Sequence, residues 1–218
     1  MAILFSILEH IGIIAFSISG AIVAIDREND IFGVVFLAFI TTFGGGLTRD
    51  ILLNRMPHFF THYTSFIITC LITALAVFFF AMIFKKKFIE DEKLLDSINN
   101  YIDAIGIGAF AVTGTQLTIS LGYTAPLIAI FMGVTTCIGG GMLRDIILND
   151  VPFVLRKRIY AIACILGSGL YYILWYFGVS EIIAMLAGFS TTVGTRVLAT
   201  IFKWNMPKAI NFSEINNK

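Results

Sequence analysis

Two arginine–aspartate pairs, Arg49-Asp50 and Arg144-Asp145, stand beside glycine triplets at the ends of long apolar runs. The segment Gly44-Gly45-Gly46-Leu47-Thr48-Arg49-Asp50-Ile51-Leu52-Leu53-Asn54-Arg55-Met56-Pro57 returns 95 residues later as Gly139-Gly140-Gly141-Met142-Leu143-Arg144-Asp145-Ile146-Ile147-Leu148-Asn149-Asp150-Val151-Pro152, with nine of fourteen positions identical. Glycine is about 0.8–1.0 kcal/mol worse than alanine inside a helix, so three in a row predict a point where a helix bends or unwinds. Carbonyl oxygens released there need a partner from protein or from water, and such oxygens are ligands for a partly dehydrated cation. Gly44, Gly45, Gly46, Gly139, Gly140 and Gly141, with Asp50 and Asp145, are therefore the candidate ion-pathway and kink residues. The competing reading is that the glycines only let helices pack closely.

Charges inside apolar segments cost about 2.5–3.5 kcal/mol each on insertion scales, so they should be paired or face water. Arg49, Arg144 and Arg196 are read as a charge network. Arg49 and Arg144 are expected to meet an aspartate of the opposite copy or freed carbonyls, and Arg196 to meet Asp145. Asp50 shares a helix face with Asn54, and Asp145 with Asn149; the two arginines point about 100° away. The residues alone leave open whether the aspartates touch an ion or only hold the helices. Glu9 and Asp103 occupy equivalent places, beside polar stripes of Ser17, Ser19, Thr113, Thr115 and Gln116. Phe16 and Phe110 lie next to those stripes and are the candidates for a constriction.

Other reactive side chains point to less. His58 and His62 have a spacing that suits a metal, yet no carboxylate stands nearby, and they read as interfacial residues. Cys70, Cys137 and Cys164 lie singly in apolar runs without CxxC spacing, which predicts neither disulfide nor metal site. Nothing resembles a nucleophile–base pair, a phosphate loop or a redox centre, so neither an enzyme nor a bound cofactor is expected.

The elements that position these groups must be membrane helices. The chain has 218 residues, 58% hydrophobic and 13% charged, against about 25% charged in soluble domains. About 20 apolar residues cross a hydrocarbon core about 30 Å thick, and seven runs qualify, near 3–25, 31–54, 63–84, 101–119, 124–148, 159–177 and 181–202. Period-2 alternation is missing, which argues against a barrel. The first run lacks a basic n-region and continues too far for a cleaved signal, so it is expected to span.

Eleven basic residues fall on one side of these spans: Arg27, Lys85, Lys86, Lys87, Lys93, Arg156, Lys157, Arg158, Lys203, Lys208 and Lys218. The other side holds only Arg55. That bias predicts an N-terminus outside and a C-terminus in the cytoplasm. A net charge of +1 argues against a nucleic-acid partner. Tyr171, Tyr172, Trp175 and Tyr176 are expected as an aromatic belt at one interface and Trp204 at the other.

The repeat extends upstream, where His10 to Gly20 matches Ala104 to Gly114 at an offset of 94. Each copy then holds three helices, and an odd number turns the second copy upside down. The expected fold is an all-α integral membrane protein of seven transmembrane helices, a 3+3 inverted repeat plus a seventh helix, with helices 2 and 5 kinked at Gly-Gly-Gly. Residues 1–84 form the first repeat, 85–100 a cytoplasmic linker, 101–177 the second repeat, 178–202 the seventh helix and 203–218 a cytoplasmic tail. Arg49-Asp50 is expected toward the outer side and Arg144-Asp145 toward the inner.

The first half carries Phe16-Ser17-Ile18-Ser19-Gly20-Ala21, Asp30-Ile31-Phe32-Gly33-Val34, the first glycine-arginine-aspartate motif and Pro57. The second carries the other motif copy, Arg196-Val197-Leu198-Ala199 and Trp204-Asn205-Met206-Pro207. Together, over roughly residues 8–208, they resemble the bacterial TRIC-like family, whose members are described as prokaryotic trimeric intracellular cation channels or as probable glycine transporters. The resemblance implies a homotrimer in the prokaryotic plasma (inner) membrane, surrounded by lipid, with one pore inside each protomer. It also implies kinks at the glycines and K+ as the permeant ion. The expected function is thus a potassium channel. The alternative is a secondary transporter of a small amino acid such as glycine, because half-helix N-termini can hold a carboxylate. A noncatalytic assembly protein would leave the duplicated charges unexplained.

Overall fold

A computed structural model describes residues 2–61, 64–84, 92–156 and 159–204. The described residues form nine helices and no strand: α1 (Ala2–Asp26), α2 (Ile31–Leu52), α3 (His58–Thr61), α4 (Thr64–Ile83), α5 (Glu92–Ser120), α6 (Pro126–Ile147), α7 (Phe153–Arg156), α8 (Tyr160–Tyr176) and α9 (Glu181–Ile201). Six of them, α1, α2, α4, α5, α6 and α9, are long and apolar enough to cross a membrane. The seventh expected span corresponds to α8, an apolar helix of 17 residues. At 1.5 Å per residue it reaches about 26 Å, slightly less than a typical hydrocarbon core.

Two features depart from the expected layout. The segment expected as the 85–100 linker is already helical from Glu92, so α5 is a 29-residue helix with a polar N-terminal extension. Short helices α3 and α7 follow Pro57 and Pro152 at equivalent places in the two copies. Lys85, Lys86, Lys87, Lys157, Arg158, Lys208, Lys218 and His62 lie outside the described residues.

The ends of the two motif helices follow from local chemistry. Helix α2 begins at Asp30, whose side chain accepts a hydrogen bond from the Gly33 amide at 2.8 Å, a side-chain N-cap. Helix α6 begins with Pro126 in its first turn, where the missing amide hydrogen costs nothing. Both helices end in a left-handed asparagine, Asn54 at φ 52° and Asn149 at φ 56°. The Arg55 amide then donates to the Asp50 carbonyl at 2.9 Å, and the Asp150 amide to the Asp145 carbonyl at 2.8 Å. This is the 6→1 bond of a Schellman ending, where asparagine is the usual substitute for glycine. The asparagines of the repeated motif therefore terminate helices.

Helices α1 and α5 pack side by side, α1 also against α2 and α4, and α5 against α6, α8 and α9. The central crossing is between α2 and α6. There Gly45 meets the Thr136 carbonyl while Gly140 meets the Thr41 carbonyl. As the number rises on one helix it falls on the other, so the two cross antiparallel. A buried cluster of Ile13, Phe16, Phe43, Phe59, Phe66, Ile107 and Phe110 fills the centre. Large apolar side chains such as Phe32, Leu127 and Phe177 are exposed on the outside.

Candidate functional site

The glycine triplets divide their labour position by position. Both are α-helical throughout, so the released carbonyls anticipated from the sequence are not found. The middle glycines make the crossing possible: a Cβ on Gly45 would lie 2.0 Å from the Thr136 carbonyl oxygen, and one on Gly140 would lie 2.0 Å from that of Thr41. The first glycines sit in the same contact, with a Gly44 Cβ 2.8 Å from Leu143 Cδ1 and a Gly139 Cβ 2.9 Å from Gly45 Cα. The third glycines differ. Gly46 and Gly141 line cavities, and the nearest atoms to their added Cβ atoms are guanidinium nitrogens at 3.7 and 3.9 Å.

The arginine–aspartate pairs close within their own copies. Arg49 Nε donates to Asp50 Oδ1 at 2.9 Å; Arg144 Nε and Nη2 donate to Asp145 Oδ1 at 2.8 and 2.7 Å. The second carboxylate oxygen accepts a backbone amide eight residues onward, from His58 to Asp50 Oδ2 and from Phe153 to Asp145 Oδ2, each at 2.7 Å. His58 and Phe153 open α3 and α7, and first-turn amides have no partner inside their own helix. Each aspartate therefore ties the end of one helix to the start of the next. The expectation that the opposite copy supplies the aspartate is corrected here. What crosses between copies is a longer reach to a hydroxyl: Arg49 Nη1 lies 3.5 Å from Thr136 Oγ1, and Arg144 Nη1 lies 3.4 Å from Ser19 Oγ. Asp50 is fully buried, and Arg55 Nε approaches it to 4.0 Å.

Beside each pair lies a small cavity with polar groups in its wall. The first is lined by Glu9, Thr42, Gly46, Arg49, His58, Phe66, Phe110, Thr113 and Thr136 among others. The second is lined by Ser19, Asn99, Asp103, Gly141, Arg144, Asp145, Phe153 and Tyr160 among others. Residue by residue these linings correspond across the repeat: Glu9 with Asp103, Thr113 with Ser19, Gly46 with Gly141, Arg49 with Arg144, and Phe66 with Tyr160. Each cavity lies at the C-terminal end of α2 or α6, and those helices run antiparallel, so the cavities lie toward opposite ends of the molecule. Phe110, at the wall of the first, packs on Phe16 with ring centroids 5.1 Å apart. Each ring also presses on a glycine of the other copy: a Cβ on Gly106 would be 2.2 Å from Phe16, and one on Gly12 would be 3.2 Å from Phe110.

Arg196 reaches the second cavity's wall from α9. It is 1% exposed, with Nη2 3.9 Å from Asp103 Oδ2 and its guanidinium carbon 4.5 Å from the Tyr160 ring centroid. The expected partner, Asp145, is thus replaced by Asp103, because both Asp145 oxygens are already engaged. Glu9 and Asp103, which the sequence places at equivalent positions of the two copies without assigning them a role, are carboxylates in the walls of the first and second cavity. Cys70, Cys137 and Cys164 are buried free thiols, and no cluster of three metal-binding side chains occurs among the described residues.

The sequence model of the glycine transporter family matches residues 6–82 and again 100–176. The UPF0126 membrane protein YvgT of Bacillus subtilis is 36% identical over 202 residues, covering 92% of this chain and 94% of its own. The UPF0126 inner membrane protein YadS of Escherichia coli is 30% identical over 200 residues, covering 91% and 92%. Among solved structures, one that explains conductance through TRIC cation channels superposes with a TM-score of 0.81 at 36% identity, over 95% of this chain and 98% of that one. The TRIC trimeric intracellular cation channel orthologue from Rhodobacter sphaeroides gives 0.80 at 35% identity, over 92% and 98%. A prokaryotic TRIC channel in 0.5 M KCl gives 0.83 at 30% identity, over 94% and 100%. These matches are membrane ion channels rather than enzymes. With the family model matched twice and relatives similar along nearly its whole length, the chain belongs to the UPF0126 membrane protein family, the family of the glycine transporter model and of the prokaryotic TRIC channels.

Proposed function

We propose that the chain is a cation channel of the TRIC type that conducts potassium through a pore within each protomer of a homotrimer. The observation that carries this reading is the pair of related cavities, each with a carboxylate and an arginine in its wall, toward opposite ends of one chain, with the Phe16–Phe110 contact next to the first. A cation path needs oxygen ligands inside low-dielectric walls, and the cavity linings supply carboxylates and hydroxyls. Similarity to TRIC cation channels, one of them trimeric by description, supports the same reading.

In this reading the chain is a multi-pass inner membrane protein with its N-terminus outside and its C-terminus in the cytoplasm. The two copies, 1–84 and 101–177, form an inverted repeat, joined by 85–100 and followed by helix 178–202 and tail 203–218. The antiparallel crossing of α2 and α6 supports the inversion. Gly46 and Gly141 expose backbone to the path, while Gly44, Gly45, Gly139 and Gly140 form the fulcrum at which the helices bend. Asp50 and Asp145, with Arg49 and Arg144, hold the helix ends that frame the cavities. Phe16 and Phe110 are the constriction, and K+ is a transient occupant rather than a cofactor.

Purified protein in planar bilayers under a KCl gradient should give single-channel steps reversing near the potassium potential. The description of the matching family model favours a second reading, transport of glycine. Silent bilayers together with saturable glycine uptake into vesicles would replace the channel by that transporter.

A further inference from the structure

Three carboxylates, Glu9, Asp103 and Asp145, line the two cavities, and a fourth, Asp50, is buried behind the lining Arg49; all but Glu9 are already occupied. Asp50 and Asp145 each spend one oxygen on an arginine and the other on a backbone amide. Asp103 faces the buried guanidinium of Arg196 at 3.9 Å. Glu9 alone makes no hydrogen bond or ion pair with the described residues. We propose that Glu9 is the carboxylate that holds a monovalent cation in the first cavity, and that the second cavity has no equal site because α9 neutralises Asp103 with Arg196.

The surrounding charges separate the two positions. Arg49 and Asp50 act on Glu9 with opposite signs and are bonded to each other. Their counterparts Arg144 and Asp145 act on Asp103 in the same way, but there Arg196 is added. Helix α9 lies outside the duplication, and among the described residues no second cation acts on Glu9 beyond Arg49, whose charge is shared with Asp50. A carboxylate walled by low-dielectric protein with its nearest cation already paired is costly, and a cation entering the cavity relieves that cost. Oxygen ligands stand ready beside it. Thr42 and Thr136 donate their hydroxyl hydrogens to the Ala38 and Met132 carbonyls at 2.8 and 2.6 Å; Cys70 Sγ and Arg49 Nη1 approach the same oxygens at 3.7 and 3.5 Å, which leaves one lone pair on each for an electrophile. Both hydroxyls line the same cavity as Glu9.

The role in permeation rests on the channel reading, whereas occupancy does not, and two measurements separate them. In detergent, KCl should raise the melting midpoint of the wild type above that in N-methylglucamine chloride at equal ionic strength. Glu9→Gln should lose that increment, and Glu9→Asp should keep part of it. In bilayers, Glu9→Gln should lower the potassium-over-chloride permeability ratio. A unit charge about 6 Å from the ion changes its occupancy about 3-fold at the dielectric of water and about 100-fold at an effective dielectric near 20, which brackets the expected loss. Adding Arg196→Gln to Glu9→Gln frees Asp103 and should recover selectivity. Equal potassium stabilisation of wild type and Glu9→Gln, or none in the wild type, overturns the site even if channels are recorded. Stabilisation lost with Glu9 in a protein that gives no channel steps and takes up glycine upholds the site and overturns the channel.

Discussion

The first and second cavities share a scaffold and differ in where their charges lie. In both, an arginine clamps the aspartate that follows it, and that aspartate caps a four-residue helix eight positions onward. Around this common unit the copies diverge. The first places Arg55 beside Asp50, at 4.0 Å. The second has Asp150 at the matching position, paired with Arg27 from the end of α1. Phe66 in the first is matched by Tyr160 in the second, beneath the Arg196 guanidinium. Duplication has kept the parts that lock backbone to backbone, and has let the ionic environment of each cavity change.

The shared part should be the most fragile. Gly45→Ala and Gly140→Ala each aim a methyl group at a carbonyl oxygen 2.0 Å away on the facing helix. Backbone atoms cannot rotate aside as side chains do, so the penalty should exceed the usual overpacking range of about 1–3 kcal/mol. Neither variant should yield folded protein in a detergent melt. Gly46→Ala and Gly141→Ala, with nothing nearer than 3.7 Å, should fold normally. If the middle and third glycines respond alike, the division of labour within the triplets is wrong.

Next in size is removal of the clamps. Asp50→Ala strands Arg49 and the His58 amide and leaves Arg55 without its nearest carboxylate. Breaking a buried pair from one side costs about 3–5 kcal/mol, and Asp50 should sit at the upper end because it serves two arginines. Asp145→Ala should fall nearer about 3 kcal/mol, since Asp145 keeps 7% exposure and holds one arginine. Melting midpoints of the two variants, measured side by side, test that order.

Much of this scaffold is legible in the sequence, for physical reasons that also mark where legibility ends. Long apolar runs announce the spans because hydrocarbon admits little else, and the doubled motif announces the crossing helices. Helices α3 and α7 are four residues each, too short for any periodicity to show. The start of α5 at Glu92 hides in polar residues that resemble a linker. Neighbouring residues diverge by about 100° around a helix, so Arg49 and Asp50 look unpaired until the long arginine side chain folds back over its neighbour. The link from Asp50 to the His58 amide uses a donor that every residue but proline carries, so no residue type signals it. Arg196 meets Asp103 across helices related by no repeat, which leaves no offset from which to predict the pair.

The Phe16–Phe110 contact tests whether the cavities belong to one path. Phe16→Ala and Phe110→Ala each remove half of a pair whose centroids are 5.1 Å apart. A truncated phenylalanine in a core costs about 3–5 kcal/mol. The lower end is expected for Phe110, whose ring lines the first cavity, so its removal widens that cavity instead of leaving a sealed void. Unitary conductance should rise in both variants if the rings are the constriction. Unchanged conductance in two folded variants would move the constriction elsewhere.

The smallest effect should come from the charge that most visibly distinguishes the copies. Arg27 and Asp150 join α1 to the turn after α6, but their side chains are 48% and 31% exposed. Water screens such a pair, and exposed ion pairs contribute roughly 0–1 kcal/mol. Asp150→Asn should therefore leave the melting midpoint nearly unchanged at moderate salt, with any difference shrinking further as salt rises. The position still matters to the comparison, because Asp150→Arg installs the residue that the first copy carries as Arg55. That variant sets a second cation against Arg27 on the turn that follows Asp145, a residue of the second cavity's wall. It should lower potassium current at low salt and recover at high salt, whereas Asp150→Asn should barely change it. Equal currents for the two variants at low salt would mean that the charge on this turn does not act on the permeating ion, leaving the difference between the copies to Glu9 and Arg196.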